Sequence, residues 1–434
     1  MRFVLDVLYL LAALLYCPVV IYRAIRHKRY RTGWAQRFGR ISRRNPAKKC
    51  IWLHAVSVGE VNAAKTIVEE LAKRFGEFEI VVSTTTDTGF ARAGNLFGKN
   101  HQVFYFPFDF SQVMRRAFDN IRPAICLLME LEVWPNFVDL AQRRNVPVVV
   151  VNGRISDRSF SRYKRIRPFA QSVFRKVSLV LAQTDEYAQR FRAIGAVAEN
   201  VVVTGSLKYD TAQITDKVEG ADALAAQLDL GGERLWVAGA TGPGEEKIIL
   251  DVFAHLKQSD RFEDLRLAIV PRKPERFDEV AQLIEQSGFH LIRYSEVKKE
   301  ATETKEKSQM DAVILGDTMG DLRKFYCLAT VIFVGRSLVP MGGSDMMEAA
   351  ALGKCTIFGP HTFNFKQTVD FLLADEGAIL VKDEQELLQV MQKCLLESEY
   401  ADNIAHRGQE VIRRNQGATA RSIERIGRFL RKPQ

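Results

Sequence analysis

Ile51-Trp52-Leu53-His54-Ala55-Val56-Ser57-Val58-Gly59-Glu60 decides how the rest of the chain is read. Its apolar start, Ile51–Ala55, predicts a buried strand, and Gly59 marks a turn into Val61–Phe75, where apolar residues recur at helical spacing. The unit then repeats. Candidate strands are Ile80–Ser83, Val103–Phe106, Ala124–Leu128, Val146–Val151, Leu179–Ala182 and Val201–Thr204, with helix-like stretches such as Met114–Asn120 and Phe137–Arg144 between them. Short apolar strands alternating with helices predict a parallel sheet covered on both faces.

The alternation pauses over Thr211–Arg234, where Gly231-Gly232 marks a turn. It restarts with Leu235–Gly239, Leu267–Val270, Ala312–Leu315, Val331–Val334 and Cys355–Phe358 as strands. The expected fold is α/β, with two Rossmann-like domains facing a cleft. Ligands in such folds bind at the carboxyl ends of the strands. The expected division is 50–210 for the first domain, 211–233 for a linker, 234–419 for the second domain and 420–434 for a C-terminal helix. Lys298 to Lys307 reads as a charged surface loop.

A chain of 434 residues is too long for one ordinary core, which agrees with two domains. Its six cysteines are scattered without C-x-x-C spacing, which argues against a disulfide framework or a zinc site and suits a reducing compartment. The net charge of +10 is local: eleven basic residues lie between Arg23 and Lys49 with no acid among them. The remainder is close to neutral, which argues against nucleic acid as a partner. The basic segment, 23–49, follows an apolar run from Phe3 to Tyr22 broken only by Asp6. Twenty such residues just reach across a hydrocarbon core of about 30 Å. Residues 1–22 are therefore expected to be a membrane anchor, spanning or partly embedded, with the domains on the cytoplasmic side and the basic segment against anionic lipids. A cleaved signal peptide is the competing reading, but the small-residue cleavage site is missing.

The loops after the strands are where chemistry is expected. Glu60 lands at a helix start beside Gly59, either facing a ligand or complementing the helix dipole. Met129-Glu130-Leu131-Glu132-Val133-Trp134-Pro135-Asn136 brings two carboxylates to a strand end, on one side if the strand continues. Asn152-Gly153-Arg154 and Gly205-Ser206-Leu207-Lys208-Tyr209-Asp210 follow later strands; Lys208 offers a cation to an anion or is a solvated lysine. In the second domain, Gly239-Ala240-Thr241-Gly242-Pro243-Gly244-Glu245-Glu246 resembles a phosphate-cradling loop, although Glu245 stands where a P-loop needs lysine. Pro271-Arg272-Lys273-Pro274 offers cations, and Gly342-Gly343-Ser344-Asp345-Met346-Met347-Glu348 runs into a helix start. No D-x-D motif appears, so neither a catalytic metal nor a cofactor is expected.

These strings are similar to those of the bacterial 3-deoxy-D-manno-octulosonic acid (Kdo) transferases. The resemblance rests on His54 to Glu60, Met129 to Asn136, Gly205 to Asp210, Asp317-Thr318-Met319-Gly320 and Gly359 to Phe365, in the family's order over nearly the whole chain. It implies a glycosyltransferase-B fold and inverting transfer of Kdo from CMP-Kdo onto lipid A precursor, for lipopolysaccharide, at the inner membrane. It implies that Glu60 is the general base and that Glu130 and Lys208 stabilise the transition state. It also implies that Pro271, Arg272, Met319, Gly320, Asp321, Asp345, Met346, Met347 and Glu348 contact the CMP donor. The family's histidines are absent at Gly242, Lys273 and Ser344. Two alternatives stand beside this reading: a related two-domain glycosyltransferase using another nucleotide-activated sugar, and a non-catalytic membrane-tethered relative.

Overall fold

The structure is a computed structural model that describes residues 2–27, 32–299 and 311–431. It divides into two compact units, Met1–Thr211 with Asn415–Gln434, and Ala212–Arg414. The first unit is built on β1 (Lys49–His54), β2 (Phe78–Thr84), β3 (Gln102–Tyr105), β4 (Pro123–Met129), β5 (Val148–Gly153), β6 (Leu179–Ala182) and β7 (Val201–Val203). All pair in parallel, in the order β3-β2-β1-β4-β5-β6-β7. Strand alternation explains the two cores: Cys50 and Trp52 pack with Phe104, Phe118 and Phe137 on one face. Ile51 and Leu53 pack with Ile67, Val68 and Leu71 on the other. Helices that matter below are α1 (Arg2–His27), α2 (Val58–Arg74), α3 (Ser111–Ile121), α4 (Asp157–Arg165) and α5 (Leu207–Thr211).

The second unit has β8 (Arg234–Thr241), β9 (Leu265–Pro271), β10 (Leu291–Arg293), β11 (Val313–Leu315), β12 (Val331–Val334), β13 (Cys355–Phe358) and β14 (Ile379–Leu380). These are parallel in the order β10-β11-β9-β8-β12-β13-β14. Its helices include α6 (Glu245–Lys257), α7 (Leu322–Leu328) and α8 (Met347–Ala351). The two strands not anticipated from sequence, β10 and β14, are short, half-buried edges whose apolar signal is weak.

The last helix, α9 (Ala418–Leu430), packs on the first unit, with Ile423 and Ile426 buried in its core. Asp210 holds it there: its carboxylate accepts the Gly417 N–H at 2.6 Å and the Thr419 N–H. The Arg421 Nε donates to the Thr204 carbonyl at 2.8 Å, closing the same contact.

Part of the basic segment belongs to this body. Arg37 is buried, donates to the Thr85 carbonyl and lies 4.2 Å over the Tyr105 ring. Arg43 donates to Glu79 at 2.7 Å, and the Arg44 backbone N–H meets the same carboxylate at 2.8 Å. The Arg37 and Arg43 charges are thus committed inside the fold. Lys28, Arg29 and Arg31 lie outside the described residues, as does the charged stretch from residue 300 to 310. The apolar Phe3–Tyr22 is long and apolar enough to cross a membrane and has no fully buried residue, which agrees with an anchor.

Because Asp210 supplies acceptors to two N–H groups at the start of α9, Asp210→Ala should lower stability by about 1–2 kcal/mol. Hydrogen exchange should quicken in α9 and in α2 beneath it; unchanged exchange there would contradict the clamp.

A carboxylate cluster at the strand ends of the first unit

Ser57 caps α2 and Glu60 is the third residue of its first turn, so the S-x-x-E spacing forms a capping box. The Ser57 Oγ donates to one Glu60 oxygen at 3.0 Å, and the Val56 N–H donates to the other at 2.9 Å. These two donors orient the carboxylate. The Ser57 N–H also bonds the carboxylate, which still keeps acceptor capacity for one more donor. Burial pushes the Glu60 carboxyl above its ordinary range, and the Glu130 charge adds to the rise against the pull of Val56 and Ser57. A carboxylate made more basic in this way is better placed to accept a proton.

Glu130 follows β4 directly with φ 53, the left-handed region that costs a side chain about 1–2 kcal/mol. Its N–H still bonds the Val151 carbonyl at 2.9 Å, so the sheet edge holds the turn in place. The strand stops at Met129 rather than continuing, yet Glu130 and Glu132 both lie within electrostatic range of Glu60. Burial, and then the Glu60 charge, push the Glu132 carboxyl up to about 7, while Trp134 Nε1 donates to it at 3.1 Å. His54 is no base: burial pushes its imidazole down to about 3, and it stacks 3.9 Å from the Phe106 ring.

Lys208 is exposed on α5, between buried Leu207 and Tyr209, and α5 packs against α2. Asn152 positions that helix. Its left-handed backbone, φ 57, turns its Oδ1 to accept the Leu207 N–H at 3.0 Å. The sequence signal was the Asn-Gly pair after a strand, whose role as a remote cap no motif announces.

In the second unit, Pro271 ends β9 and the Arg272 N–H bonds the Thr241 carbonyl at 3.1 Å. Arg272, Asp345 and Glu348 come together around Tyr326 of α7. Burial, and then the Asp345 charge, push the Glu348 carboxyl up. The buried Tyr326 hydroxyl has no hydrogen-bond partner among the described residues. It lies so close to Gly239 that a Cβ there would stand 2.4 Å from it. No sequence motif marks Tyr326. Met319 and Gly320 form an exposed turn. Asp321 is committed elsewhere: against its burial, Lys298, Lys324 and Thr318 hold its carboxyl down at about 2. Met346 and Met347 are buried, and Met347 N–H bonds Asp345 at 3.0 Å.

The glycine-rich loop differs from its sequence expectation. Glu245 turns back and accepts the N–H groups of Gly242, Arg336, Ser337 and Leu338. The amides that would cradle a phosphate are filled by the protein's own carboxylate.

A family model described as 3-Deoxy-D-manno-octulosonic-acid transferase (kdotransferase) matches residues 32–211. The 3-deoxy-D-manno-octulosonic acid transferase of Haemophilus influenzae is 33% identical over 413 residues, covering 94% of each chain. That of Bordetella pertussis is 32% identical over 403 residues, covering 91% of each. The chain belongs to the Kdo transferase family. It is thus a glycosyltransferase with two Rossmann-like units, the glycosyltransferase-B fold. A crystal structure of a glycosyltransferase from Rickettsia africae shares that fold, with a TM-score of 0.57 and 13% identity over 89% of this chain and all of that one.

Gly242, Lys273 and Ser344 sit in three different surroundings. A Cβ at Gly242 would stand 2.7 Å from Met341 Sδ and 3.0 Å from Arg336 Cγ. Ser344 is buried and donates to the Ala240 carbonyl at 3.1 Å. Lys273 is exposed.

Glu132 should titrate near neutrality, and Glu60→Gln should lower its pKa because a like charge that favours its protonated form is removed. Carboxyl carbon-13 NMR reads both values; an ordinary value near 4.5 in the parent protein would refute the cluster.

Proposed function

We propose that this Kdo transferase moves Kdo from CMP-Kdo onto the lipid A precursor lipid IVA, with inversion, at the cytoplasmic face of the inner membrane. The observation that carries the reading is Glu60: a partly buried carboxylate, oriented by Ser57 and Val56, and made more basic by burial and Glu130. In the proposed step Glu60 takes the proton from an acceptor hydroxyl as its oxygen bonds to the anomeric carbon of Kdo. The bond from that carbon to the phosphate oxygen breaks on the opposite side, and CMP leaves with the electron pair as an anion. General-base help of this kind is worth about 10²- to 10⁴-fold.

Glu130 and Lys208 are assigned to stabilising the transition state. Lys208 is exposed on a helix fixed by Asn152, so its cation can meet the donor's negative groups. The nucleotide is assigned to the second unit, at Pro271, Arg272, Met319, Gly320, Asp321 and Asp345 to Glu348. Arg272 offers a cation to phosphate, and Glu348 can accept from ribose hydroxyls. With Met346 and Met347 buried and Asp321 ion-paired, those three act through backbone or by shaping the site.

Incubating the purified protein with CMP-Kdo and lipid IVA, then weighing the lipid by mass spectrometry, tests the reading. One or more Kdo increments are expected; no transfer from CMP-Kdo, with transfer from a UDP-sugar, would reverse the donor. Glu60→Ala should cut turnover by at least about a hundredfold with folding intact. The acid limb of the pH–rate profile should lie above the ordinary carboxylate range, and Glu130→Gln should move it to lower pH in the residual activity.

A further inference from the structure

The apolar helix α1 is tied to the first unit at its amino-terminal end. Asp6 accepts the Ser111 N–H at 2.9 Å, the Asn136 Nδ2 at 3.1 Å and the Ser111 hydroxyl. It thereby caps α3, which has no side-chain cap of its own. One turn on, the Tyr9 hydroxyl donates to buried Asp109 at 3.1 Å, and its ring meets Phe110 edge-on at 5.9 Å. Asp109 in turn accepts the N–H groups of Asn136 and Phe137 at 3.0 and 2.8 Å. Leu5, Asp6 and Tyr9 are half-buried by these contacts, whereas residues 11–19 are all exposed.

After α1 the chain is again at the same body by Thr32. From Asp6 to His27 the helix rises about 32 Å. From His27 the chain can travel at most about 18 Å before Thr32, whose hydroxyl is 3.3 Å from the Tyr105 hydroxyl. A bilayer-crossing helix would put its two ends on opposite sides of about 30 Å of hydrocarbon. Asp6 would then leave Ser111 and Asn136, and a carboxylate would lose its donors close to the apolar phase. The two arrangements exclude each other.

Next to the docked end lies α4, which buries none of its residues. Its Tyr163 is within electrostatic range of both Tyr9 and Glu132. Arg158, Arg162 and Arg165 recur at i, i+4 and i+7 and are exposed, with Arg154, Lys164 and Arg167 exposed nearby.

We propose that α1 lies in the plane of one leaflet of an anionic bilayer without crossing it. Asp6 and Tyr9 keep it clamped to the body while the arginine face of α4 meets the lipid headgroups. The proposal rests on the reading that the protein acts on a membrane lipid, and it adds the topology and the second contact surface.

The test uses the full-length chain carrying Arg2→Cys with Cys17→Ser and Cys327→Ser, expressed in bacteria and probed with a membrane-impermeant maleimide. The introduced thiol should label only after spheroplasts are lysed. Labelling in intact spheroplasts would show that the amino terminus lies across the membrane and would overturn the proposal. Purified parent protein should sediment with vesicles of phosphatidylethanolamine and phosphatidylglycerol; failure to do so would instead remove the membrane reading itself. Arg158→Gln, Arg162→Gln and Arg165→Gln together should lower partitioning onto those vesicles about a hundredfold, about fivefold per cation. Undiminished partitioning would remove α4 from the lipid contact.

Discussion

A parallel sheet buried on both faces has no place for an unpaired charge, and most of the site follows from that constraint. The strands of the first unit are apolar at their centres, with Glu79 in β2 held by Arg43, and Glu60, Glu130 and Glu132 stand in the loops at their carboxyl ends. There they are half-wetted and close enough to feel one another, and that raises the basicity of Glu60 and Glu132. The carboxylates are held by backbone geometry, through a capping box at Glu60 and a left-handed turn at Glu130. A site built this way keeps its shape with few side-chain partners.

The alternation of strands and helices was legible because most of the buried strands are predominantly apolar runs. It failed at β10 and β14, where two or three half-buried residues carry little pattern. At the site, Glu60 and Glu130 could be picked out because a carboxylate at a strand end is rarely there for packing. The loop around Glu245 misled for a physical reason. Sequence shows which backbone donors a glycine-rich turn offers, not which are already satisfied by a carboxylate of the same chain. Asn152 and Tyr326 escaped for the complementary reason, since a remote cap and a tyrosine against a glycine depend on contacts distant in sequence.

The three positions at which the sequence departs from the pattern it resembles, Gly242, Lys273 and Ser344, all lie in the second unit. A Cβ at Gly242 would press on the side chains of Met341 and Arg336. Ser344 turns its hydroxyl to a backbone carbonyl. A side chain at Gly242 would require Met341 and Arg336 to shift, whereas exposed Lys273 has no such neighbour to displace among the described residues.

The chain leaves the first unit after Thr211 and rejoins it at Asn415. During synthesis the ribosome must therefore deliver nearly the whole polypeptide before Ile423 and Ile426 can complete the layer over Ile67 and Leu71. The second unit is one continuous piece and can close as soon as it has emerged. The order of maturation is thus inverted relative to the order of translation: the half that emerges first is sealed last, and its uncovered sheet face is what the nascent chain must keep from aggregating.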